Sequence, residues 1–260
     1  MKKKYKKILS IVAIYGICLI MVVLFLIFKK PPVLKRINKE SKDVTTIECL
    51  IKNGDTILHG KYNRHTQKGK KIAEGNFVDG ELTGKCTSYY ESGEVSLIRY
   101  HKDTKIIEES TFYYPNKRAF KYVMNNDLGE LEFQIYYDEF GNIKSYEGRP
   151  LLEIYNYKPT NKEKFKNRIS QFLNVGDTLN YEYLIANIPN AKRSVLIENL
   201  TVDNPMVDVS FAKTSQAGIE AKEILTQKGI NTIQATVKYE FSDKEKTIIN
   251  DTLSFQVTVN

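Results

Sequence analysis

The sequence predicts a mainly β protein with three parts: an N-terminal transmembrane helix, an array of β-hairpins and a C-terminal β-sandwich. Three observations support this fold class. Residues 8–28 form a run of 21 uncharged, mostly apolar residues. Tyrosine pairs followed by turn-forming residues recur at nearly constant spacing through the middle of the chain. Segments in which apolar and polar residues strictly alternate fill the last third.

The positive charge of the chain is concentrated at its N-terminus. Ten of the 39 Lys and Arg residues lie within residues 1–40, together with one of the 31 Asp and Glu residues. The rest of the chain therefore carries 29 basic and 30 acidic groups. A nucleic-acid-binding domain needs a basic face on its folded part, because it must neutralise phosphates. The charge distribution therefore argues against nucleic acid as a partner.

Residues 1–30 are predicted to form a cytoplasmic tail and a transmembrane signal anchor. A helix crosses the hydrocarbon layer with about 20 apolar residues, which residues 8–28 supply. No small-residue cleavage site follows this run, which argues against a cleaved signal peptide. The sequence thus predicts contact with a lipid bilayer through residues 8–28.

The orientation in this membrane is predicted from the short N-terminal tail. Basic residues flank the apolar run on both sides, so the positive-inside rule is nearly balanced. A tail of seven residues favours a body exported to the far side. The predicted location is the bacterial inner (cytoplasmic) membrane, single-pass, with the C-terminal body extracytoplasmic. Residues 31–45 then form a polar linker that is stiffened by two prolines.

Residues 46–157 are predicted to form the hairpin array. Three Tyr-Tyr pairs at nearly equal spacing each precede turn-forming residues: Tyr89-Tyr90, Tyr113-Tyr114 and Tyr136-Tyr137. Neighbouring residues of a strand point to opposite faces, so one ring of each pair is expected in the core and the other on the solvent face. The six tyrosines are the candidate partner-binding residues. The alternative is that both rings of each pair are structural, one in the core and one in cross-strand pairing.

These units resemble the MORN-type repeat, in particular its degenerate bacterial variant. The resemblance is carried by EGNFVDGELTGKCTSYYESGEV (residues 74–95) and YYDEFGNIKSYEG (residues 136–148). It implies an array of β-hairpins, and it says little about function, because such repeats occur in scaffolding, membrane-associated and antitoxin-like proteins. The unit around Tyr113 departs from the pattern, since Lys117 stands where a glycine is expected. An irregular hairpin is predicted there.

Residues 158–260 are predicted to form a β-sandwich. Runs such as TLNYEYLIANI, TIQATVKYEF and TLSFQVTV alternate with period two, which indicates strands with one buried face. The stretch VGDTLNYEYLIANIPNAK (residues 175–192) is similar to the opening strands of immunoglobulin-like domains of bacterial surface proteins. That resemblance carries no catalytic residues. The segment contains neither Trp nor Cys, so packing alone must stabilise the sandwich.

The sequence contains no motif that predicts catalysis. His59, His65 and His101 lie in polar contexts without a matching set of metal ligands. No HExxH, GxSxG or glycine-rich phosphate-binding run occurs. We therefore expect no catalytic, metal-binding or cofactor-binding residues. Cys49 and Cys86 could form a disulfide in an oxidising compartment, or remain two isolated thiols.

The expected function is that of a non-enzymatic, membrane-anchored binding or scaffold protein of the bacterial cell envelope. Its expected partner is another envelope protein or a glycan. Two alternatives stay open. The protein could be an antitoxin or immunity-like protein that binds a toxin. It could also be an envelope-polymer hydrolase, which would need a concave cleft holding two acidic residues with raised pKa.

Overall fold

The computed structural model describes residues 31–155, 173–203, 207–211 and 217–260. These residues form β-strands and their connections, which confirms the mainly β prediction. The transmembrane helix in the predicted fold class is wrong: no helix within the described residues is long and apolar enough to cross a membrane. Every regular element in this part of the chain is a strand, because its apolar residues alternate with polar ones or fill short runs. Residues 1–30, on which that prediction was based, lie outside the described residues.

Residues 33–148 form one antiparallel sheet of 11 strands, which we call the repeat sheet. Its strands are β1 Val33–Ile37, β2 Val44–Lys52, β3 Asp55–His65, β4 Lys71–Val78, β5 Glu81–Leu82, β6 Gly84–Tyr89, β7 Val95–His101, β8 Ile107–Tyr113, β9 Ala119–Asn125, β10 Leu131–Tyr137 and β11 Ile143–Gly148. Neighbours in the sheet follow chain order, except that the short β5 pairs only with β4 and lies off the main path. The repeat sheet is therefore a meander of consecutive hairpins.

The rest of the described chain forms two smaller sheets that face each other, which we call the sandwich. Its strands are β12 Leu151–Tyr155, β13 Thr178–Ile185, β14 Ala191–Asn199, β15 Val207–Phe211, β16 Gly218–Ile224, β17 Gly229–Phe241 and β18 Ile248–Val259. One sheet has the order β12-β13-β16-β15 and the other β14-β17-β18. Along β17 every second residue from Asn231 to Phe241 is buried, as the alternating sequence requires.

Two segments differ from the predicted division of the chain. Residues 33–37, placed in the predicted linker, form β1, which pairs with β2 from Val33 opposite Glu48 to Ile37 opposite Val44. The segment VLKRI does not alternate between apolar and polar residues, so the sequence pattern did not reveal a strand. Residues 151–155, placed in the predicted array, form the first strand of the sandwich. The predicted boundary at residue 158 lies outside the described residues.

The turns along one edge of the repeat sheet recur at constant spacing. They begin at Thr66, Tyr90, Tyr114 and Asp138, and in each the first N–H donates to the carbonyl four residues later over 2.8–2.9 Å. The third tyrosine pair is shifted by one position against this period. Tyr137 occupies the position that Tyr89 and Tyr113 hold in their units, and Asp138 takes the position of the second tyrosine. This shift explains why the third pair follows the second more closely than the second follows the first.

The predicted irregular hairpin at Lys117 is regular. The Tyr114 N–H donates to the Arg118 carbonyl over 2.8 Å, and the Lys117 N–H donates to the Tyr114 carbonyl over 2.9 Å. Lys117 adopts φ 71°, the left-handed conformation that glycine provides at the same position of the other three turns. The turn therefore keeps its geometry, and Lys117 adopts a backbone conformation that is unfavourable for a residue with a Cβ atom.

One hydrophobic core joins the sandwich to the last hairpins of the repeat sheet. Phe133, Ile135 and Tyr137 of β10 are buried in the same cluster as Tyr183 and Tyr239 of the sandwich. By contrast, all seven residues of β7 are only half-buried. The sandwich thus covers β8–β10, and the earlier hairpins form a single layer.

Candidate binding cleft

The second tyrosine of each of the first two pairs links adjacent hairpins. Strands β6 and β8 end at the first tyrosine, so the second one opens the turn instead of continuing the strand. The Tyr90 hydroxyl donates to the carbonyl of Tyr113 over 2.5 Å, and the Tyr114 hydroxyl donates to the carbonyl of Tyr137 over 3.1 Å. The Tyr137 hydroxyl donates in a similar way to the carbonyl of Pro189 in the sandwich, over 3.2 Å.

The other three tyrosines bond within the repeat sheet. The Tyr89 hydroxyl donates to Glu74, and the Tyr136 hydroxyl donates to Gln134 Oε1 over 3.1 Å. Tyr113 shares a side-chain hydrogen bond with Thr111. Tyr137 is buried, and the remaining five of the six predicted partner-binding tyrosines are half-buried. Their hydroxyls thus have internal partners, and only part of each ring is open to a ligand.

A cleft of about 590 Å³ lies between the turns at residues 90–94 and 114–118. Its lining consists of Ser92, Gly93, Glu94, Val95, Ile98, Tyr113 and Lys117, and we call it the Tyr113 cleft. Val95, Ile98 and Tyr113 give it an apolar floor on one face of the repeat sheet, since Ile98 pairs with Thr111 two residues before Tyr113. Glu94 and Lys117 place opposite charges at its rim. Sequence reasoning singled out Tyr113 but missed the cleft, because its walls come from two turns that are far apart in the sequence.

Glu94 carries a negative charge into the Tyr113 cleft. A hydrogen bond from the Ser92 hydroxyl, helped by the nearby charge of Lys117, lowers the pKa of Glu94. The carboxylate is therefore ionised at neutral pH. Its Oε2 atom is covered and has no hydrogen-bond partner among the described residues. The side chain as a whole is only half-buried, so a ligand that brings an N–H or O–H group into the cleft would supply the missing donor once the carboxylate turns toward it.

The joint between the repeat sheet and the sandwich is built around Glu109. This side chain is 2% exposed. Its carboxylate accepts hydrogen bonds from the Tyr122 hydroxyl and from the backbone and side-chain N–H groups of Asn187, the last two over 2.9 and 3.0 Å. Arg193 donates to Asn187 Oδ1 over 2.7 Å. Burial raises the pKa of Glu109, and the hydrogen bonds from Tyr122 and Asn187 oppose that rise.

A second cavity, of about 310 Å³, lies where the last turn of the repeat sheet meets the sandwich. Its polar groups are mostly engaged in holding the joint. Asn142 Oδ1 accepts from the Lys244 N–H over 3.1 Å, and the Asp243 carboxylate accepts from the N–H and hydroxyl of Thr247. This cavity therefore offers fewer free hydrogen-bonding groups than its lining suggests.

Neither of these two cavities holds the pair of acidic residues with raised pKa that the hydrolase alternative requires. The carboxyl groups with raised pKa are those of Glu109, Glu132, Glu153 and Glu223. None of them lines either cavity. The carboxylates that do line a cavity, Glu94 and Asp243, have lowered pKa values. Within the described part of the chain, no group of three or more His, Cys, Asp and Glu residues could hold a metal ion.

Cys49 and Cys86 are both free thiols. They lie on β2 and β6, and β3 and β4 separate these strands. Three interstrand spacings amount to about 14 Å, whereas a disulfide needs Cα atoms within about 7 Å of each other. Pairing of the two cysteines would therefore require the sheet to rearrange.

Comparison with known proteins does not indicate a function for this chain. No protein-family model matches the chain, and no curated protein matches it. Similar solved structures include a mutant of S. aureus TarM in complex with fondaparinux, alpha-GlcNAc-glycerol and UDP, at 9% identity and a TM-score of 0.28. A second TarM structure matches at 10% identity and a TM-score of 0.27. These matches cover 50% and 49% of this chain but only 22% and 21% of the TarM chains. Likeness at this level supports no conclusion about function.

Proposed function

We propose that this protein is a non-enzymatic binding or scaffold protein of the bacterial cell envelope that holds a partner protein in the Tyr113 cleft. The observation that carries the proposal is the ionised Glu94 carboxylate beside an apolar floor in one cleft. The envelope location comes from the sequence of residues 8–28 alone, which lie outside the described residues.

The chemistry of the cleft favours a protein segment over a glycan. Val95, Ile98 and Tyr113 suit an apolar side chain, because covering them removes apolar surface from water. The Glu94 carboxylate suits a Lys or Arg side chain of the partner, since a charge-assisted hydrogen bond is about twice as strong as a neutral one. A neutral glycan offers hydroxyl groups but no cation. The expected partner therefore presents a basic residue next to an apolar one.

The rest of the fold supports a scaffold role by holding the cleft in a fixed shape. The two turns that form its walls are linked through the Tyr90 hydroxyl, which bonds the carbonyl of Tyr113. The following turn is linked in the same way through Tyr114. Because these contacts exist before a partner binds, little conformational freedom is lost on binding.

Photo-crosslinking in cells tests this proposal. A photoreactive lysine analogue is introduced at Lys117, at the rim of the cleft, and separately at Lys68. Lys68 is an exposed lysine in the turn at residues 66–70, outside the cleft. We expect a discrete protein adduct from position 117 that is absent from position 68. The same adducts from both positions, or none from position 117, would contradict binding in the cleft.

A further inference from the structure

The hairpin of β2 and β3 ends in exposed apolar side chains. Leu50 and Ile51, just before the turn at Asn53, are 43% and 66% exposed. Val78, at the neighbouring turn, is 41% exposed. The Gly80 N–H donates to the Leu58 carbonyl over 2.8 Å, so both turns lie along the same edge of the repeat sheet. We call Leu50, Ile51 and Val78 the apolar tip.

The chain enters the repeat sheet next to this tip. The Cys49 N–H donates to the carbonyl of Pro32 over 2.8 Å, so Pro31 lies level with Leu50. Val33 follows on the same edge strand and is 56% exposed. In the sequence, the uncharged apolar run of residues 8–28 ends three residues before Pro31. Only Lys29 and Lys30 separate the end of that run from Pro31.

We propose that the apolar tip contacts the surface of a lipid bilayer, with Ile51 and Leu50 placed among the lipids. This inference rests on the proposed envelope location, and it places a contact with the membrane on the folded part of the chain. Exposed apolar patches commonly mark protein or membrane contacts, and the neighbouring apolar run selects the membrane here.

The charges around the tip favour apolar insertion over attraction to lipid headgroups. Lys52 lies opposite Asp55 across the turn. Asp79 lies 3.4 Å from His59 in the neighbouring turn. The described residues of these two turns thus carry no excess of positive charge, and the contact that the turns make depends on removing Leu50 and Ile51 from water.

Tryptophan fluorescence tests the contact, because the chain contains no Trp of its own. The full chain with Ile51→Trp is reconstituted into phosphatidylcholine vesicles whose acyl chains do or do not carry bromine, a quencher. The control is Phe140→Trp, since Phe140 is 78% exposed and lies in a turn at the opposite edge of the repeat sheet. We expect the emission of Ile51→Trp to move to shorter wavelength and to be quenched by brominated lipid. The emission of Phe140→Trp should change in neither respect.

The other outcomes each overturn the inference in a distinguishable way. Unshifted and unquenched emission from Ile51→Trp, in protein that floats with the vesicles, removes the tip contact and leaves the envelope location intact. Shifted but unquenched emission shows that protein, such as a second copy of the chain, covers the tip. Failure of both variants to float with vesicles removes the envelope location, and the tip contact fails with it.

Discussion

Lys117 illustrates how one residue can depart from a repeat while its turn is preserved. Its φ of 71° lies in the left-handed region, where Gly69, Gly93 and Gly141 have φ between 79° and 101° in the equivalent turns. For a residue with a Cβ atom this conformation costs about 1–2 kcal/mol. The two turn hydrogen bonds and the neighbouring strands hold Lys117 there. The folded state is therefore strained at a position where a glycine would fit.

Replacing Lys117 by glycine should stabilise the protein. Relief of the strain is partly offset by the greater freedom of glycine in the unfolded chain, so we expect a gain of about 0.5–1 kcal/mol in the free energy of unfolding. Urea denaturation measures it. Gly141→Ala is the matched control: an added Cβ at Gly141 meets no atom within 4 Å, so its expected loss of about 1 kcal/mol comes from the backbone alone. If the Lys117→Gly variant is less stable than the wild type, the backbone of Lys117 is not strained.

Glu109 makes the joint between the repeat sheet and the sandwich sensitive to pH. Burial raises its pKa above that of an unfolded glutamate, so the folded state binds its proton more tightly than the unfolded state does. Its contribution to stability is full below the unfolded pKa of about 4.3 and is lost as pH rises through the folded pKa. Glu109 therefore favours the folded state more at acidic pH than at neutral pH.

Glu109→Gln should destabilise the protein by about 1–3 kcal/mol, because the new amide donors face the donors of Tyr122 and Asn187. The difference in stability from the wild type should narrow as pH rises through the folded pKa of Glu109, since only the wild type loses the protonated form. Chemical denaturation across acidic and neutral pH measures this difference. Glu139→Gln, at an exposed turn residue, serves as the control and should show no such pH dependence. A constant difference for Glu109→Gln would disprove the raised pKa.

At the scale of elements, hydrogen bonds from tyrosine hydroxyls to the next turn hold the hairpins in register. Each hairpin of a single-layer sheet buries too little surface to be stable alone, so contacts between neighbours supply much of its stability. Tyr90 and Tyr114 provide one such contact each, to a carbonyl of the next unit. Asp138 stands at the equivalent position of the last turn, where the sandwich replaces a further hairpin.

Tyr114→Phe should lower the free energy of unfolding by about 0.5–1.5 kcal/mol, because it removes one half-buried hydrogen bond and leaves the ring in place. Tyr146→Phe is the control, since Tyr146 is 49% exposed on the edge strand β11. Urea denaturation of both variants measures the change in the free energy of unfolding that each substitution causes. Equal values for the two variants would show that the Tyr114 hydroxyl contributes nothing.

Much of the strand pattern could be predicted from the sequence, and the positions that depend on tertiary contacts could not. The turn residues and the alternation in β13, β17 and β18 are local signals that identify strands directly. Glu109 looked like an ordinary polar residue of a strand, because its burial depends on Asn187, 78 residues away. The Tyr113 cleft was hidden for the same reason, since its walls come from separate turns.

At the scale of the whole molecule, stability should be uneven along the chain. The sandwich and β8–β10 share one core, whereas β7 has no buried residue and belongs to a single layer. Segments with few buried contacts open more readily. The joint at Glu109 lies at the border between the two regions.

Hydrogen exchange should therefore be about tenfold or more slower in β10 and β17 than in β7, which corresponds to a difference of about 1.4 kcal/mol or more in opening free energy. Mass spectrometry of peptides from these strands measures the rates. Equal protection of β7 and β17 would indicate that the hairpins before β8 are covered by contacts that the fold does not show.

Binding in the Tyr113 cleft is the central claim, and the yield of the Lys117 crosslink in a Glu94→Gln variant tests it most directly. Removing the charge weakens the hydrogen bond that the partner is proposed to make, so the yield should fall by about tenfold. Glu91→Gln, an exposed residue of the same turn, is the control and should leave the yield unchanged. An unchanged yield with Glu94→Gln would contradict the role assigned to the cleft.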